Sequence, residues 1–223
     1  MNDTLMVIGE ALIDFIPTEQ GMALKDVCSF TKHCGGAPIN IAAATAKLGA
    51  HSKVLTQVGA DAFGDFILET LSLCQVDITA VKRTKQYPTA LAFVALDEKG
   101  NRDFTFYRDP CADLHLSAED ITATMFQDCG ILHFCSVDLV DSPMKQAHLK
   151  AIQLAKEQGA IISFDPNVRL PLWSSKEDCK NTILEFAPYA DILKISDAEL
   201  FFLTGQKDCE QVFTVFPDAT IIL

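Results

Sequence analysis

The stretch that most constrains the fold reads CGGAPINIA and runs from Cys34 to Ala42. Its two adjacent glycines let the backbone pass very close to a ligand, and Pro38 suits the first turn of a helix, where its missing N–H group costs nothing. The small apolar residues that follow predict a helix packed tightly on a sheet. Free backbone N–H groups at the start of that helix, together with the Asn40 amide, would face a polar ligand. A tight loop that only leads into a helix is the alternative that this stretch leaves open.

Outward from this stretch, apolar runs typical of buried strands alternate with helical patterns. The predicted strands span 5–9, 53–58, 130–135, 160–164, 192–195 and 219–223, and the predicted helices span 39–48, 61–74, 143–158 and 198–203, with Ser142 as the cap of the third helix. Such alternation implies right-handed crossovers and a parallel sheet covered by helices on both faces. The sequence therefore predicts one α/β domain over residues 1–223.

Two segments, at about 14–34 and 87–110, interrupt this alternation. The first has little helical periodicity, and the second contains two β-rich runs around a turn at 97–101, which is the pattern of a β-hairpin. We predict that the two segments together form one small accessory sheet inserted into the α/β core.

The composition excludes several classes of partner. The net charge is −12, and no stripe of Lys or Arg is present, so neither a nucleic acid nor an anionic membrane is an expected partner. The chain has no apolar run of about 18 residues that could span a membrane, and its first residues lack the basic start of a signal peptide. The 8 cysteines form no C-x-x-C pair, which predicts free thiols in a reducing cytoplasm.

Polar side chains follow three of the predicted strands, at the edge where open parallel sheets bind ligands. Asp14 is a carboxylate between apolar neighbours, which predicts a specific hydrogen-bond donor such as a sugar hydroxyl or a loop N–H group. Arg169 follows the strand at 160–164 and could contact an anion or a sugar. Ser196 and Glu199 have the spacing of a helix capping box, so a purely local role and a ligand-binding role are both open for this pair.

Several motifs, taken in their order along the chain, resemble those of one enzyme family. They are Gly9-Glu10 with Asp14, the segments 35–40 and 58–64, Phe104 to Arg108 followed by Ala112-Asp113, the segment 165–169 with Trp173, and the segments 193–199 and 203–205. In this ordered set the chain resembles the ribokinase/PfkB family of carbohydrate kinases, and most closely its bacterial fructokinases.

The resemblance implies a ribokinase-like three-layer α/β/α core with a mostly parallel sheet and a small β-sheet lid over the sugar. The substrate-binding residues that it implies are Asp14, Gly35, Gly36, Asn40, Phe93, Phe106, Arg108 and Arg169, and the cofactor-binding residues are Lys194, Ser196 and Glu199, with Glu199 also linked to the metal. Ser196 departs from the family, which has asparagine there. The implied cofactors are ATP and Mg²⁺, and a monovalent cation such as K⁺ is left open.

The activity implied by the resemblance is ATP-dependent phosphorylation of a ketose hydroxyl, as in a fructokinase. The alternative substrates are 2-keto-3-deoxygluconate and aminoimidazole riboside. The expected partners are a sugar and ATP, and lids of this kind sometimes pair between subunits, which leaves a homodimer through the lid open.

The family's catalytic aspartate lies in a Gly-Ala-Gly-Asp motif that residues 1–223 do not contain. The general base is therefore expected beyond Leu223, no catalytic residue is assigned, and the chain is expected to be C-terminally truncated and inactive alone. A non-catalytic sugar-binding or partner-binding remnant is the rival hypothesis. A dinucleotide-binding oxidoreductase is disfavoured because the first strand is not followed by G-x-G-x-x-G.

Overall fold

Two β-sheets of different size organise the chain. The computed structural model describes residues 3–19, 21–96, 102–205, 212–217 and 219–222. Within these ranges the strands are β1 (Thr4–Ile8), β2 (Leu12–Pro17), β3 (Phe30–Gly35), β4 (His51–Gly59), β5 (Val81–Thr84), β6 (Ala90–Leu96), β7 (Arg102–Tyr107), β8 (Cys129–Cys135), β9 (Ile161–Asp165), β10 (Ile192–Leu193) and β11 (Ile221–Ile222). The α-helices are α1 (Ala37–Lys47), α2 (Ala62–Leu73), α3 (Pro143–Glu157), α4 (Lys176–Phe186), α5 (Asp197–Thr204) and α6 (Val212–Val215).

The large sheet contains seven of the described strands in the order β11-β10-β9-β8-β1-β4-β5, and every neighbouring pair is parallel. Successive side chains of a strand point to opposite faces. Accordingly, Met6 and Ile8 of β1 join a buried cluster with α3 and α4, whereas Val7 joins a second cluster with α1 and α2. Helices therefore cover both faces, and the predicted three-layer α/β/α core with a parallel sheet is confirmed.

The small sheet, which we call the lid, has the order β3-β2-β6-β7. Strands β2 and β3 pair antiparallel, β2 and β6 pair parallel, and β6 and β7 pair antiparallel. These strands come from the two segments that interrupt the α/β alternation. The turn predicted at 97–101 lies outside the described residues. Strand β2 begins one short connection after β1, and β3 leads directly into α1, so the lid is joined to the sheet edge where polar side chains were expected.

Three local features differ from the sequence prediction. Helix α4 was not predicted, although Ser175 caps it by accepting from the Asp178 N–H group and its buried residues recur at helical spacing. Strand β5 was also missed, because it is a four-residue edge strand with an exposed Lys82-Arg83 centre and no apolar pattern. Ser142 occupies the N-cap position of α3, but its side chain makes no capping hydrogen bond.

None of the helices in the described part of the chain combines the length and the apolar character that crossing a membrane requires.

Asp61 joins α2 to the loop before β6. Its Oδ1 accepts from the Gly64 N–H group at 2.8 Å and from Phe63 at 3.1 Å, and its Oδ2 accepts from the Thr89 N–H group at 2.8 Å. Burial alone would raise the pKa of this carboxyl, but the hydrogen bonds from Thr89, Gly64 and Phe63 outweigh burial and lower the pKa below its ordinary value.

We expect Asp61→Ala to lower the free energy of unfolding by about 1–2 kcal/mol, because an N-cap and a link to the lid are lost together. Asp61→Asn keeps a capping oxygen and should lose less. Because folding lowers the pKa, the contribution is present at neutral pH and is lost as pH falls through the folded-state pKa. Urea unfolding of the three proteins measures this, and an alanine variant as stable as the unsubstituted protein would contradict it.

Candidate functional site

A cavity of about 250 Å³ lies between the lid, the start of α1 and the loops that follow β1, β8 and β9. We call it the first cavity. Its lining residues are Glu10, Leu12, Asp14, Ile16, Gly36, Ala37, Asn40, Val94, Phe104, Phe106, Val137, Asn167 and Arg169. The structure thus brings together five of the eight residues expected to bind a sugar, namely Asp14, Gly36, Asn40, Phe106 and Arg169.

Strand alternation decides which lid residues face the first cavity. On β2 the side chains of Leu12, Asp14 and Ile16 face the cavity. Phe104 and Phe106 do the same on β7, with their rings stacked at 5.5 Å between centroids. The resulting wall is apolar, with the Asp14 carboxylate as the polar group that the lid contributes to the cavity.

Phe93 does not line the first cavity, contrary to the expectation that it would flank the substrate. Its neighbours on β6, Ala92 and Val94, point toward the inner face, so Phe93 points to the outer face of the lid. There its ring stacks on Phe15 with centroids 4.9 Å apart and meets Tyr107 edge-on at 5.5 Å.

The glycine pair brings backbone and carboxylate into contact where the lid meets α1. Gly36 is the N-cap of α1 with φ 114°, and a Cβ atom there would lie 2.3 Å from the backbone oxygen of Glu10. A Cβ atom on Gly35 would lie 2.2 Å from Asp14 Oδ2. Gly36 therefore requires glycine, whereas Gly35, which does not line the cavity, leaves room for the Asp14 carboxylate beside it.

Glu10 is a cavity residue to which the sequence assigned no role of its own. Its side chain is only 3% exposed, and its Oε1 accepts from the Ala37 N–H group at the start of α1 at 2.7 Å. Burial, followed by the nearby Asp138 carboxylate, raises the pKa of Glu10 to about 8. A charged residue directly after a buried strand was the available sequence signal.

Arg108 lies behind the first cavity and does not line it, contrary to expectation. Its guanidinium is 5% exposed and forms ion pairs with Asp113 at 2.7 Å and with Asp138. Burial opposes the charge, but Asp113 and Asp138 outweigh it and raise the pKa of Arg108 above its ordinary value. These contacts tie the end of β7 to the core, so Arg108 anchors the lid.

The loop after β9 supplies Asn167 and Arg169. Asn167 adopts a positive φ of 44°, and its N–H group donates to Asp165 Oδ1 at 3.1 Å, which fixes the turn. Arg169 is partly buried, and its guanidinium lies 5.7 Å from the centre of the Phe104 ring. Arg169 faces both the first cavity and a second one.

The second cavity has a volume of about 610 Å³ and shares Phe104, Phe106 and Arg169 with the first. Ser196 and Glu199 line it, at the start of α5. Lys194 does not line it and pairs with Asp165 at 3.1 Å. Two of the three expected cofactor-binding residues, Ser196 and Glu199, therefore line the second cavity together with Phe104 and Phe106 of the lid.

Glu199 forms the capping box that its spacing indicated. Its Oε2 accepts from the N–H group and the hydroxyl of Ser196 at 2.9 and 2.7 Å, and its Oε1 accepts from the Val168 N–H group at 2.9 Å. Burial alone would raise the pKa, but the bonds from Ser196 and Val168 lower the pKa of Glu199. The described residues contain no group of three His, Cys, Asp or Glu side chains arranged to hold a metal ion.

A parallel α/β sandwich with one cavity under a β lid and a second cavity beside it defines the class, an α/β protein of ribokinase-like fold. The sequence model described as pfkB family carbohydrate kinase matches residues 2–219, and the chain belongs to this family.

Individual relatives are consistent with that assignment. The chain is 42% identical over 199 residues to probable fructokinase-2 of Arabidopsis thaliana, an alignment that covers 89% of the chain and 60% of that protein. It superposes on fructokinase from Xylella fastidiosa with a TM-score of 0.89 and 33% identity, covering all of the chain and 70% of that structure. A structure of fructokinase with bound ATP from the same organism gives a TM-score of 0.88 at 34% identity, with 68% of it covered. The chain spans about 60% of the length of the curated relatives it matches.

Proposed function

We propose that the protein is an ATP-dependent sugar kinase of fructokinase type, and that the first cavity binds the sugar. The observation that carries the proposal is the position of Asp14. Its carboxylate lies on the inner face of the lid, against the Gly35-Gly36 turn and near Asn40, with apolar side chains around it. This arrangement suits several hydroxyl groups on one side of a molecule and its carbon skeleton on the other. The named relatives are fructokinases, which supports the same substrate class.

Charge favours a neutral ketose over the acid sugar 2-keto-3-deoxygluconate. Two carboxyl groups, Glu10 and Asp14, line the first cavity against one cation, Arg169. Arg169 donates one hydrogen bond from its Nη1 to the Val168 carbonyl oxygen at 3.0 Å. The Asp14 carboxylate would repel a substrate carboxylate in this small space. We therefore rank fructose first, with aminoimidazole riboside as the neutral alternative.

We place ATP at the second cavity, beside Ser196 and Glu199, with Lys194 nearby. Mg²⁺ usually keeps several waters and binds through one or two carboxylates and the substrate phosphates. Both oxygens of Glu199 accept hydrogen bonds from the protein. We therefore expect Glu199 to contact Mg²⁺ through a water molecule and not as a direct ligand. When bound, Mg²⁺ would neutralise charge on the phosphates. K⁺ is a further cofactor to test, and we assign no residue to it.

The general base is not assigned to the described residues. Three of the described aspartates have structural partners: Asp61 caps α2, Asp138 pairs with Arg108, and Asp165 pairs with Lys194. None of the three lines the first cavity. That residues 1–223 alone show no phosphotransfer stays a prediction.

Titration calorimetry with D-fructose tests the proposed function. We expect saturable one-site binding, and no binding of the mirror-image L-fructose. Fructose binding with no ADP formed from ATP, both by residues 1–223 and after a C-terminal extension is restored, would fit the rival hypothesis of a non-catalytic sugar-binding protein. If D-fructose, 2-keto-3-deoxygluconate and aminoimidazole riboside all fail to bind, the proposal is wrong.

A cytoplasmic location is also part of the proposal. The described cysteines are free thiols: Cys28, Cys34, Cys74, Cys111, Cys129, Cys135 and Cys179. Free thiols are typical of a reducing compartment. Fractionation of cells that express the chain measures its location.

We also propose a homodimer through the outer face of the lid. Phe15, Phe30 and Phe93 form an aromatic cluster there, and Tyr107 on the same face is 63% exposed. We expect concentration-dependent dimers in sedimentation experiments, which Tyr107→Lys should weaken at least tenfold. Leu73→Lys, at an 86% exposed position at the end of α2, is the matched control and should leave the dimer unchanged. A monomer at all concentrations would contradict the proposal.

A further inference from the structure

Glu10 is a buried carboxyl group that faces the first cavity and has no established task there. One oxygen, Oε1, accepts from the Ala37 N–H group at 2.7 Å. The other donor close to the carboxyl is the N–H group of Glu10 itself. Asp14 and Asn40 line the same cavity, so a sugar held by these two would lie beside Glu10.

The charges around Glu10 do not balance when every group is ionised. Asp113 and Asp138 lie with Arg108 in one buried cluster behind Glu10, and the four side chains are each 5% exposed or less. They comprise three carboxyl groups and one guanidinium. Because uncompensated buried charges are costly, the cluster favours retaining a proton on a carboxyl group.

Glu10 is the carboxyl that is compensated least. Both aspartates form direct ion pairs with Arg108, and Asp113 also accepts from the Cys111 thiol and the Leu114 N–H group. Within the described chain, no salt bridge joins Glu10 to a basic side chain. The cost of uncompensated buried charge and the lack of a salt bridge to Glu10 in the described chain therefore both favour a proton on Glu10.

We propose that Glu10 is a sugar-binding residue that acts as a neutral carboxylic acid. Its O–H group donates to a sugar hydroxyl oxygen, while its carbonyl oxygen continues to accept from Ala37. The Asp14 carboxylate can only accept hydrogen bonds, so the pair together offers one donor and one acceptor to neighbouring hydroxyls. This inference rests on the proposed sugar-binding function and adds a donor to it.

The proposal has a defined pH dependence. The groups that act on Glu10 are Asp138, Arg108 and the Cys135 thiol, while Asp113 pairs with Arg108 and Asp14 lines the same cavity. Burial, and then Asp138, raise the pKa of Glu10 to about 8, while burial raises the pKa of the Cys135 thiol well above its ordinary value. The binding form is the protonated one, so affinity is full below this pKa and falls as pH rises through it.

The test is the Kd for D-fructose by calorimetry between pH 6 and pH 9.5, with circular dichroism at each pH. We expect a constant Kd up to about pH 7.5, followed by a rise that approaches tenfold per pH unit, as one-proton linkage requires. Glu10→Gln keeps a carbonyl for Ala37 and gains an N–H donor, so its Kd should stay within about threefold of the neutral-pH value throughout. A control with Asp138→Asn removes the neighbouring like charge and should move the midpoint to lower pH.

A Kd for the unsubstituted protein that does not change with pH would overturn the inference and leave the proposed function intact. A Kd of Glu10→Gln that rises with pH in parallel with the Kd of the unsubstituted protein would also overturn the inference. If Glu10→Gln does not fold, the Asp138→Asn variant provides the test. A pH midpoint of its Kd profile equal to that of the unsubstituted protein would contradict the inference. Absence of fructose binding at every pH would overturn the proposed function, and this inference with it.

Discussion

Replacing Asp14 with alanine is expected to weaken D-fructose binding on the order of 100-fold. A hydrogen bond to a charged group contributes about 1.5–3 kcal/mol, and one carboxylate can accept from two sugar hydroxyls. Among the described side chains of the lid that line the cavity, Leu12, Ile16, Val94, Phe104 and Phe106 are all apolar and cannot replace it. The measurement is the Kd by titration calorimetry at pH 7.

Two controls isolate the role of Asp14. Asp14→Asn keeps the size of the side chain but loses the charge, and its Kd should lie between those of the alanine variant and the unsubstituted protein. Asp65→Ala removes an exposed aspartate on α2 that pairs with Arg83 and should leave fructose binding unchanged. If the Asp14→Ala protein binds fructose as tightly as the unsubstituted protein, Asp14 does not contribute to sugar binding.

Gly36→Ala is expected to destabilise the fold by about 3 kcal/mol or more and to abolish measurable fructose binding. The position has φ 114° and ψ 129°, a conformation that costs other residues of order 1–3 kcal/mol. The added Cβ atom would also lie 2.3 Å from the backbone oxygen of Glu10, and a backbone atom cannot rotate away as a side chain can. Relief of this contact would displace the start of α1 from the lid.

Gly159→Ala provides the matched control for that prediction. Gly159 also has a positive φ, of 74°, but a Cβ atom there would meet nothing within 4 Å. Only the backbone penalty of about 1–2 kcal/mol applies, and fructose binding should not change. Thermal and urea unfolding of both variants measures the difference. Equal losses of stability would show that contact with Glu10 is not what constrains Gly36.

Local sequence signals predicted much of the fold and part of the site. Parallel strands and the first three predicted helices have strong apolar patterns, and the glycine pair with Pro38 marks the start of α1 without reference to the rest of the chain. Asp14 and Asn40 belong to motifs close to that start. Their meeting in one cavity follows from the rule that ligands bind at the carboxyl ends of parallel strands.

The orientation and burial of the remaining site residues depend on strand pairing and on contacts between residues far apart in the sequence, which local patterns do not reveal. Phe93 and Phe106 are both aromatic residues of lid strands, and only the strand register places Phe106 inward and Phe93 outward. Arg108 is buried between Asp113, five residues away, and Asp138, 30 residues away, and the sequence gives no local sign of the second partner. Glu10 becomes a candidate only once the start of α1 lies against it.

A crystal structure of the chain with D-fructose at pH 7 tests the central claim most directly. We expect the sugar in the first cavity, between the start of α1 and the Phe106 ring, with two of its hydroxyls within hydrogen-bond distance of the Asp14 carboxylate. A sugar bound at another surface, with the first cavity empty at saturating fructose, would contradict the account.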